Sequence, residues 1–303
     1  MRRTEAEKGQ TTRNRGSRKP AIAIVGAGRL ASFLVPALNA SGYTISEIIL
    51  RRRASRKSFW RARSLARKVG AKVVTIEKAA LNASLLWFCV PDREIGSASA
   101  MVASRLPPSA EKRYAFHSSG TLLSDELSPL RKAGWAIVSV HPLMTFVEGR
   151  PPSLGGVPFA LEGDPVATRL AQRIVRDLGG HSFRLSASRK AAYHAWATMT
   201  SPLLVAYLVT LEQVARQASL SATVARRMSA PIIRQTISNY GKCGPARSFS
   251  GPLIRGDVPT VAKHLKLLRK NPATREVYVA LARIALTYLP TENRAELRRL
   301  LKD

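Results

Sequence analysis

The amino-acid sequence predicts an α/β fold in which a doubly wound parallel sheet is followed by an all-helical domain. In the first 185 residues, short apolar runs alternate with amphipathic segments, a pattern that predicts βαβ units with helices on both faces of a sheet. Beyond residue 185 only helical periodicity remains, and 303 residues are enough for two domains. We predict a disordered basic tail over 1–20, the α/β domain over 21–186 and the helical domain over 187–303.

The first predicted strand, AIAIV at 21–25, is followed by the glycine-containing segment GAGRLA and then by the helical segment SFLVPALNA. Apolar runs and amphipathic segments alternate in the same way further along the chain. Strands are predicted at 45–50, 72–74, 85–89, 114–116, 136–140, 159–161 and 182–185, and helices at 61–69, 94–103, 122–133 and 165–178.

The formal net charge is +30, of which the first twenty residues supply +5 and residues 51–68, which contain no acid, supply +9. Such a charge favours anionic partners, which include nucleotide phosphates, nucleic acid and acidic lipid. A proteome-wide bias towards arginine would produce the same charge, so composition alone leaves the partner open.

The remaining composition argues against several classes of protein. Cys89 and Cys243 are too far apart for a disulfide framework or a metal-ligand spacing, so we expect a reducing cytoplasm and no metal. The N-terminus lacks the apolar segment of a signal peptide. Residues 191–211 are uncharged but contain a histidine, a proline and three threonines. They therefore predict a buried helix, and we expect no membrane partner.

A dinucleotide-binding motif begins directly after the first predicted strand. Gly26, Ala27, Gly28, Arg29, Leu30 and Ala31 fit the pattern G-x-G-x-x-A and open the first predicted helix. The two glycines permit a tight turn and a close approach to a pyrophosphate, which would bind the free N–H groups of the helix N-terminus. The alternative is a tight turn that binds nothing.

The residues after the second strand favour NADP, in either redox state, over NAD. NAD-specific folds usually have an acidic residue there, whereas this chain has Arg51 and Arg52. Guanidinium groups can hold a 2′-phosphate with two hydrogen bonds. A basic helix for nucleic acid is the alternative, but Phe59 and Trp60 are the only aromatic residues in the basic segment. We therefore expect no nucleic-acid partner.

Three polar segments follow predicted strands, at the edge where ligands bind in open parallel sheets. They are VPD at 90–92, HSSG at 117–120 and HPL at 141–143. Each could simply be a loop, but together they predict a lined cleft. We assign Val90, Pro91 and Asp92 to the cofactor, and Ser118, Ser119, Gly120 and His141 to the substrate.

Several ordered motifs resemble the Rossmann-like family that carries the domain DUF2520. They are GAGRLA, FHSSG, VSVHPLMTF, FALEGDPVA, KAAYHAWA and SGPLIRGDVPTVAKHL, and the resemblance extends from about residue 21 to the C-terminus. That family is similar to pyrroline-5-carboxylate reductases, ketopantoate reductases and β-hydroxyacid dehydrogenases. The resemblance implies an N-terminal NADP-binding domain and a helical domain like the C-terminal domain of 6-phosphogluconate dehydrogenase, through which we expect a homodimer. It implies no particular substrate.

This sequence departs from the family pattern at two places. Ser201 and Pro202 stand where an asparagine is usual, and Ser250 stands where a threonine is usual. A proline inside a helix removes one backbone donor, so Pro202 is expected to kink the helix near Ser201.

The resemblance also suggests catalytic residues. β-Hydroxyacid dehydrogenases have a lysine at the start of the first long helix of their second domain and an asparagine one turn later. Lys190 and His194 have that i, i+4 spacing, which places them on one helical face. Lys190 could act as general acid and His194 as an orienting donor or proton relay, while Arg255 could help to hold a carboxylate. A solvated helix entrance is the alternative.

Other interpretations of these side chains stay open. His141 could cap a strand end, Arg255 and Asp257 could pair across a turn, His264 could lie on a helix surface, and Tyr193 could pack rather than donate. The sequence predicts an NADP-dependent oxidoreductase that transfers a hydride between NADP(H) and a small anionic carbonyl, hydroxy or imine compound. The alternatives are a non-catalytic NADP-binding sensor or regulatory protein, a nucleic-acid-associated protein, and an enzyme with a deazaflavin partner.

Overall fold

The computed structural model describes residues 19–106, 111–149 and 153–302, and the chain divides into two compact units between Ala197 and Thr198. Most of the predicted basic tail, up to residue 18, lies outside the described residues. Lys19 is described: its ammonium group donates a hydrogen bond to the Ser41 carbonyl at 2.6 Å and pairs with Asp177 at 3.3 Å. The domain limits at 21, 186 and 187 remain predictions.

The first unit contains one eight-stranded sheet. Its strands are β1 (Ile22–Val25), β2 (Ile45–Leu50), β3 (Lys72–Thr75), β4 (Leu85–Phe88), β5 (Tyr114–His117), β6 (Ala136–Pro142), β7 (Pro158–Gly163) and β8 (His181–Arg184). Their order is β3-β2-β1-β4-β5-β6-β7-β8, and all neighbours are parallel except β6 and β7. The chain leaves β1 in one direction through β2 and β3 and returns to β4 on its other side. The doubly wound α/β prediction is therefore confirmed, with its switch point between β1 and β4.

Helices cover both faces of this sheet, and they are α1 (Arg29–Ala40), α2 (Arg56–Val69), α3 (Asp92–Ala103), α4 (Ser128–Lys132) and α5 (Pro165–Asp177). Within β1, Ile22 and Ile24 pack towards α1, α2 and α5, whereas Ala23 and Val25 pack towards α3 and α4. A strand that is buried on both faces has no polar face, which explains the uninterrupted apolar run of β1.

Two helices differ clearly from the prediction. Helix α2 begins at Arg56 rather than at residue 61, since the Ser55 side chain accepts a hydrogen bond from the Ser58 N–H. The helix predicted over 122–133 is instead a 3₁₀ turn at Ser124–Leu127 followed by the short α4.

The antiparallel pairing of β6 with β7 is a second difference. Val138 lies opposite Gly163, and Pro142 lies opposite Phe159. A parallel connection needs a crossover of a dozen or more residues that usually forms a helix. The described residues between β6 and β7 form no helix, and the chain therefore returns alongside β6.

The rest of the chain is helical, as predicted, with α6 (Lys190–Thr200), α7 (Pro202–Gln217), α8 (Ala222–Ser248), α9 (Val258–Leu268), α10 (Pro272–Tyr288) and α11 (Arg294–Leu300). The break expected at Pro202 separates α6 from α7, and Ser201 between them has φ −125° and ψ −72°. Val261, Leu265, Leu286 and Leu297 belong to a small core of the second unit. Within the described part of the chain, every helix is too short or too polar to cross a membrane.

Candidate functional site

The turn between β1 and α1 requires glycine for steric reasons. Gly26 has φ +98°, and a Cβ atom there would lie 2.8 Å from both the Cys89 carbonyl oxygen and Val90 Cγ1. A Cβ at Gly28 would lie 3.1 Å from the same carbonyl oxygen. The turn therefore packs directly on the segment that leaves β4, at the switch point of the sheet.

This turn leaves the N-terminus of α1 open. Gly28 is the N-cap, and the bond from Ser32 N–H to the Gly28 carbonyl, at 3.2 Å, is the first of the helix. The N–H groups of Arg29, Leu30 and Ala31 precede it and have no acceptor within the helix. Ala31 is fully buried in the core. This arrangement fits an anion such as a diphosphate.

Two clefts share Leu50, Arg51 and Ala54 as lining residues, and one of them adjoins the turn. One, of about 280 Å³, is lined by residues that include Gly26, Ala27, Gly28, Arg51, Val90 and Pro91. The other, of about 560 Å³, has a basic rim of Arg51, Arg52, Arg56 and Lys78 beside Phe59 and Trp60. The residues predicted to hold a dinucleotide thus lie at neighbouring strand ends. The basic side chains suit the phosphates of a dinucleotide, and Phe59 and Trp60 suit one of its aromatic rings.

Charged side chains near the glycine turn make contacts that the sequence did not predict. Arg51 Nη1 donates to Glu94 Oε1 at 3.2 Å, so a phosphate bound by Arg51 would compete with this carboxylate. Arg61 Nη1 donates to the Ala27 carbonyl at 3.4 Å, and its Nη2 pairs with Glu148 at 3.1 Å. Arg61 is one basic residue among nine in the segment 51–68, and sequence offered no signal that would single it out.

Asp92 connects the cofactor segment to the predicted substrate segment. It begins α3, and its Oδ2 accepts a hydrogen bond from Ser119 Oγ at 2.6 Å. Ser118 Oγ accepts one from Trp87 Nε1 at 2.9 Å. Both predicted substrate hydroxyls are thus held in place by protein side chains at the ends of β4 and β5.

His117, which sequence analysis placed in the HSSG segment without a role, is fully buried at the end of β5. Its Nδ1 accepts from the Ser119 N–H at 3.1 Å, so the proton is on Nε2, which donates to the Leu123 carbonyl at 3.0 Å. Burial, reinforced by the charge of Lys190, lowers the pKa of His117 to about 4. A neutral histidine therefore fixes the turn that carries Ser118, Ser119 and Gly120.

Lys190 begins α6 but is only 2% exposed. Its Nζ donates to Glu162 Oε2 at 3.2 Å, and Glu162 also accepts from the N–H and the hydroxyl of Ser124, both at 2.8 Å. Burial lowers the pKa of Lys190, an effect that Glu162 opposes. Sequence analysis missed Glu162, although an acidic residue directly after the apolar run FAL was a usable signal.

Glu162 lies opposite Ser139 of β6, which lies opposite His117 of β5. Glu162 is therefore level with the carboxyl end of β5, the strand that leads into Ser118, Ser119 and Gly120.

His141, His194 and Gly120 come together at this edge. The two imidazole rings have centroids 6.2 Å apart. A Cβ at Gly120 would lie 2.5 Å from His194 Cδ2 and 2.8 Å from His141 Nε2. The two rings can occupy these positions only because residue 120 has no side chain. On its other side, His141 Nδ1 lies 2.8 Å from Tyr193 Oη.

Arg255 and His264 lie in the second unit. Arg255 is exposed, and its assignment to the substrate stays a prediction. Asp257 caps α9 by accepting from the Thr260 N–H at 3.0 Å. His264 is half-buried, and its Nδ1 lies 3.1 Å from Tyr278 Oη. No group of three or more potential metal ligands occurs among the described residues.

Comparison with protein families assigns both parts of the chain. Residues 7–142 match the Rossmann-like domain family, and residues 157–285 match the family called domain of unknown function DUF2520. The chain therefore contains a Rossmann-like domain followed by a DUF2520 domain. No curated protein matches it in sequence.

Solved structures show the same fold. A Bacteroides fragilis protein, provisionally described as an NADP oxidoreductase, is 21% identical to the DUF2520 protein with a TM-score of 0.70, covering 88% of this chain and 97% of its own. A pyrroline-5-carboxylate reductase from Coxiella burnetii is 16% identical (TM-score 0.56, 94% and 98% covered). A reductive aminase from Aspergillus terreus, in complex with NADPH and ethyl-5-oxohexanoate, is 14% identical (TM-score 0.62, 92% and 98% covered).

Proposed function

We propose that this protein is an NADP-dependent oxidoreductase that transfers a hydride between NADP(H) and a small anionic carbonyl, hydroxy or imine compound. The observation that carries the proposal is the position of the buried Lys190–Glu162 pair and of His141 and His194. The ion pair is level with the carboxyl end of β5, and His141, with His194 beside it, is near the carboxyl end of β6. The glycine turn follows the carboxyl end of β1 in the same sheet. The similar solved structures include an NADPH-bound reductive aminase and a pyrroline-5-carboxylate reductase, which supports the reaction class.

The cofactor would bind across the switch point. The N-terminus of α1 would hold the diphosphate, Arg51 and Arg52 the 2′-phosphate, and the segment 90–92 would border the rest of the molecule. NADP is preferred to NAD because the segment after β2 offers guanidinium groups and no carboxylate that would bind the ribose hydroxyls. When bound, the cofactor supplies or accepts the hydride.

The protein side chains would stabilise the charge that develops on the substrate. Reduction of a C=O or C=N bond places negative charge on the heteroatom, and a fixed positive charge nearby lowers the barrier. Lys190 supplies that charge, and Glu162 holds its side chain in one position. His194 would orient the substrate together with Ser118, Ser119, Gly120 and His141.

We also propose a cytoplasmic homodimer formed through the helical region. Among the described residues, α7 contains no buried residue and α8 contains one, Ala225. Met228, Ile232 and Tyr240 of α8 are each more than 60% exposed. An amphipathic helix normally buries its apolar stripe. A second copy of the chain would cover the exposed apolar residues of α8.

Cofactor binding tests the proposal directly. NADPH and NADH are titrated into the protein and followed by nucleotide fluorescence, with duplex DNA as a competitor. We expect NADPH to bind more tightly than NADH and DNA not to displace it. Failure to bind NADPH at micromolar protein concentration would refute the proposed dinucleotide site.

A pair of double variants tests the 2′-phosphate contact. Arg51→Ala with Arg52→Ala should weaken NADPH binding far more than NADH binding. The control replaces Arg298 and Arg299, which are exposed on α11 in the second unit, and so makes the same change in net charge. Equal losses for the two nucleotides would argue against NADP specificity.

Turnover separates an enzyme from a sensor. A metabolite screen that follows NADPH oxidation should identify a carbonyl or imine substrate. Lys190→Ala and His194→Ala should then lower kcat and leave NADPH affinity intact. Unchanged turnover in both variants would refute their catalytic assignment.

A further inference from the structure

We propose that His141 gives the proton to the substrate heteroatom, and that Tyr193 is a positioning residue that sets the tautomer of His141 and relays a proton to it. This inference rests on the proposed oxidoreductase function and identifies the proton donor within it. Sequence analysis had assigned His141 to substrate contact and had left Tyr193 open between packing and donation.

The two side chains are held in one geometry by elements of the first unit. Tyr193 Oη lies 2.8 Å from His141 Nδ1, and the ring centroids are 5.6 Å apart at an interplanar angle of 85°. His141 belongs to β6, while Tyr193 is on α6 and is 8% exposed. The ring of Tyr193 also packs edge-on against Phe183 at 5.9 Å. Strand and helix together therefore fix the hydrogen bond.

This hydrogen bond selects one tautomer of His141. Within the described residues, Nδ1 of His141 is the one hydrogen-bond partner of the buried phenol, and a buried hydroxyl that donates to nothing is costly. Tyr193 therefore donates to Nδ1, and the imidazole proton resides on Nε2. Nε2 has no hydrogen-bond partner in the described part of the chain and borders Gly120.

Both groups are neutral near pH 7. Burial, together with the charges of His194 and Lys190, lowers the pKa of His141 to about 4. Burial raises the pKa of Tyr193 to about 12. The groups that act on His141 include Tyr193, His194, Lys190 and His117, and none of them is a carboxylate that would stabilise an imidazolium. His141 is consequently a neutral N–H donor.

Lys190 is less suited to losing a proton. Its ammonium group is the cation that pairs with buried Glu162, and a neutral amine would leave that carboxylate without a counter-charge. Lys190 is better suited to stabilising negative charge while a neighbour supplies the proton. His141 is that neighbour, because its Nε2–H is directed away from the tyrosine that holds it.

Hydride addition to the C=O or C=N carbon moves the π pair to the heteroatom, which takes the proton from His141 Nε2. The electron pair of that N–H bond stays on Nε2, and Nδ1 takes the proton of Tyr193 Oη. When Nε2 then takes a proton from solvent, Nδ1 returns its proton to the phenolate. The net change is one hydride and one proton added to the substrate.

The tautomer can be tested in the free protein, without cofactor or substrate. Long-range ¹H–¹⁵N spectra of protein labelled with ¹⁵N-histidine distinguish Nε2–H from Nδ1–H, and the His141→Gln variant identifies the His141 signals. We expect His141 to be the Nε2–H tautomer and to remain neutral at pH 6. Tyr193→Phe should give a mixture of tautomers. An Nδ1–H tautomer in the wild type, or an unchanged spectrum in Tyr193→Phe, would overturn the proposal.

The second unit contains a matched control. His264 Nδ1 lies 3.1 Å from Tyr278 Oη, with ring centroids 5.9 Å apart at 85°. Tyr278→Phe therefore removes the same kind of hydrogen bond at another place. It should change the His264 signals and leave those of His141 unchanged.

Kinetic measurements are the second test, and they distinguish the role of His141 as proton donor from the proposed oxidoreductase function. His141→Gln should lower kcat roughly 100-fold, the size of a general-acid contribution, with unchanged NADPH affinity. Tyr193→Phe should lower kcat with little change in KM, and Tyr278→Phe should change neither. If NADPH binds and His141→Gln turns over normally, this proposal fails and the oxidoreductase stands. If NADPH does not bind, the oxidoreductase fails, while the spectra still decide the tautomer.

Discussion

Glu162 Oε2 lies 3.2 Å from Lys190 Nζ, and the two side chains are 11% and 3% exposed. The pair connects β7, the strand that runs antiparallel to β6, with the first residue of α6. A lysine at a helix start is ordinarily solvated, but here the carboxylate of a neighbouring strand and the hydroxyl of Ser124 complete a buried polar cluster. This cluster is why Lys190 can be both buried and charged.

Removing one partner of the Lys190–Glu162 pair should lower the free energy of unfolding. Glu162→Gln leaves the Lys190 ammonium buried without a counter-charge and should destabilise the protein by about 3 kcal/mol or more. Adding Lys190→Met to that variant should restore much of the loss, because it removes the unpaired charge. Urea denaturation of the single and double variants measures both effects.

An exposed ion pair is the control for this experiment. Arg131 pairs with Asp164 at 3.0 Å and also with Asp125, and its side chain is 41% exposed. Arg131→Gln should cost less than about 1 kcal/mol, as expected of a surface pair. A loss in Glu162→Gln no larger than in Arg131→Gln would contradict the proposed importance of the buried pair.

Lowering the pH should destabilise the folded protein because His117 is buried in its neutral form. Burial holds its pKa at about 4 in the folded protein, against about 6.5 in an unfolded chain. Between these values the unfolded state binds more protons, so the free energy of unfolding should fall as pH decreases from about 6.5 to about 4, by up to about 3 kcal/mol. Denaturation curves over this range should show a shallower pH dependence in His117→Gln. His181→Gln, at an exposed position on β8, should keep the wild-type slope.

Gly120 should tolerate no side chain. A Cβ there would lie within 3.0 Å of both His194 and His141, so Gly120→Ala must displace both rings and should lower kcat roughly 100-fold. A Cβ at Gly241, in α8, would meet no atom of the described residues within 4 Å, apart from the backbone of its own helix. Gly241→Ala should therefore leave turnover unchanged and stabilise the helix by up to about 1 kcal/mol. Equal activity of the two variants would contradict the placement of the rings.

The proposed dimer can be tested at Ile232, which is 67% exposed on α8. Ile232→Glu places a charge where a second copy would bury an apolar side chain, so sedimentation should show a shift from dimer to monomer. Val147→Glu, at a position 53% exposed in the first unit, should sediment as the wild type does. A monomeric wild-type protein would disprove the dimer outright.

The glycine turn after β1 was largely predictable from sequence because its determinants are local. A strand, a tight turn that requires glycine at residue 26, and a helix N-terminus at residue 28 are consecutive in the chain. The parallel sheet with helices on both faces followed from the alternation of strands and helices, since parallel strands need crossovers that are usually helical. The i, i+4 placement of Lys190 and His194 was likewise local, because helix geometry sets it.

The substrate end depended on contacts between residues far apart in sequence. Glu162 and Lys190 are 28 residues apart, and His141 and Tyr193 are 52 apart. No periodicity signals such pairs, since each follows from the reversal of β7 beside β6 and from how α6 packs on that edge. By itself the sequence determined the fold class, the glycine turn and the basic segment after β2. Only the tertiary structure decided that Lys190 is paired with Glu162 and that Tyr193 Oη lies within hydrogen-bond distance of His141 Nδ1, because burial and long-range hydrogen bonds arise only when separate strands and helices come together.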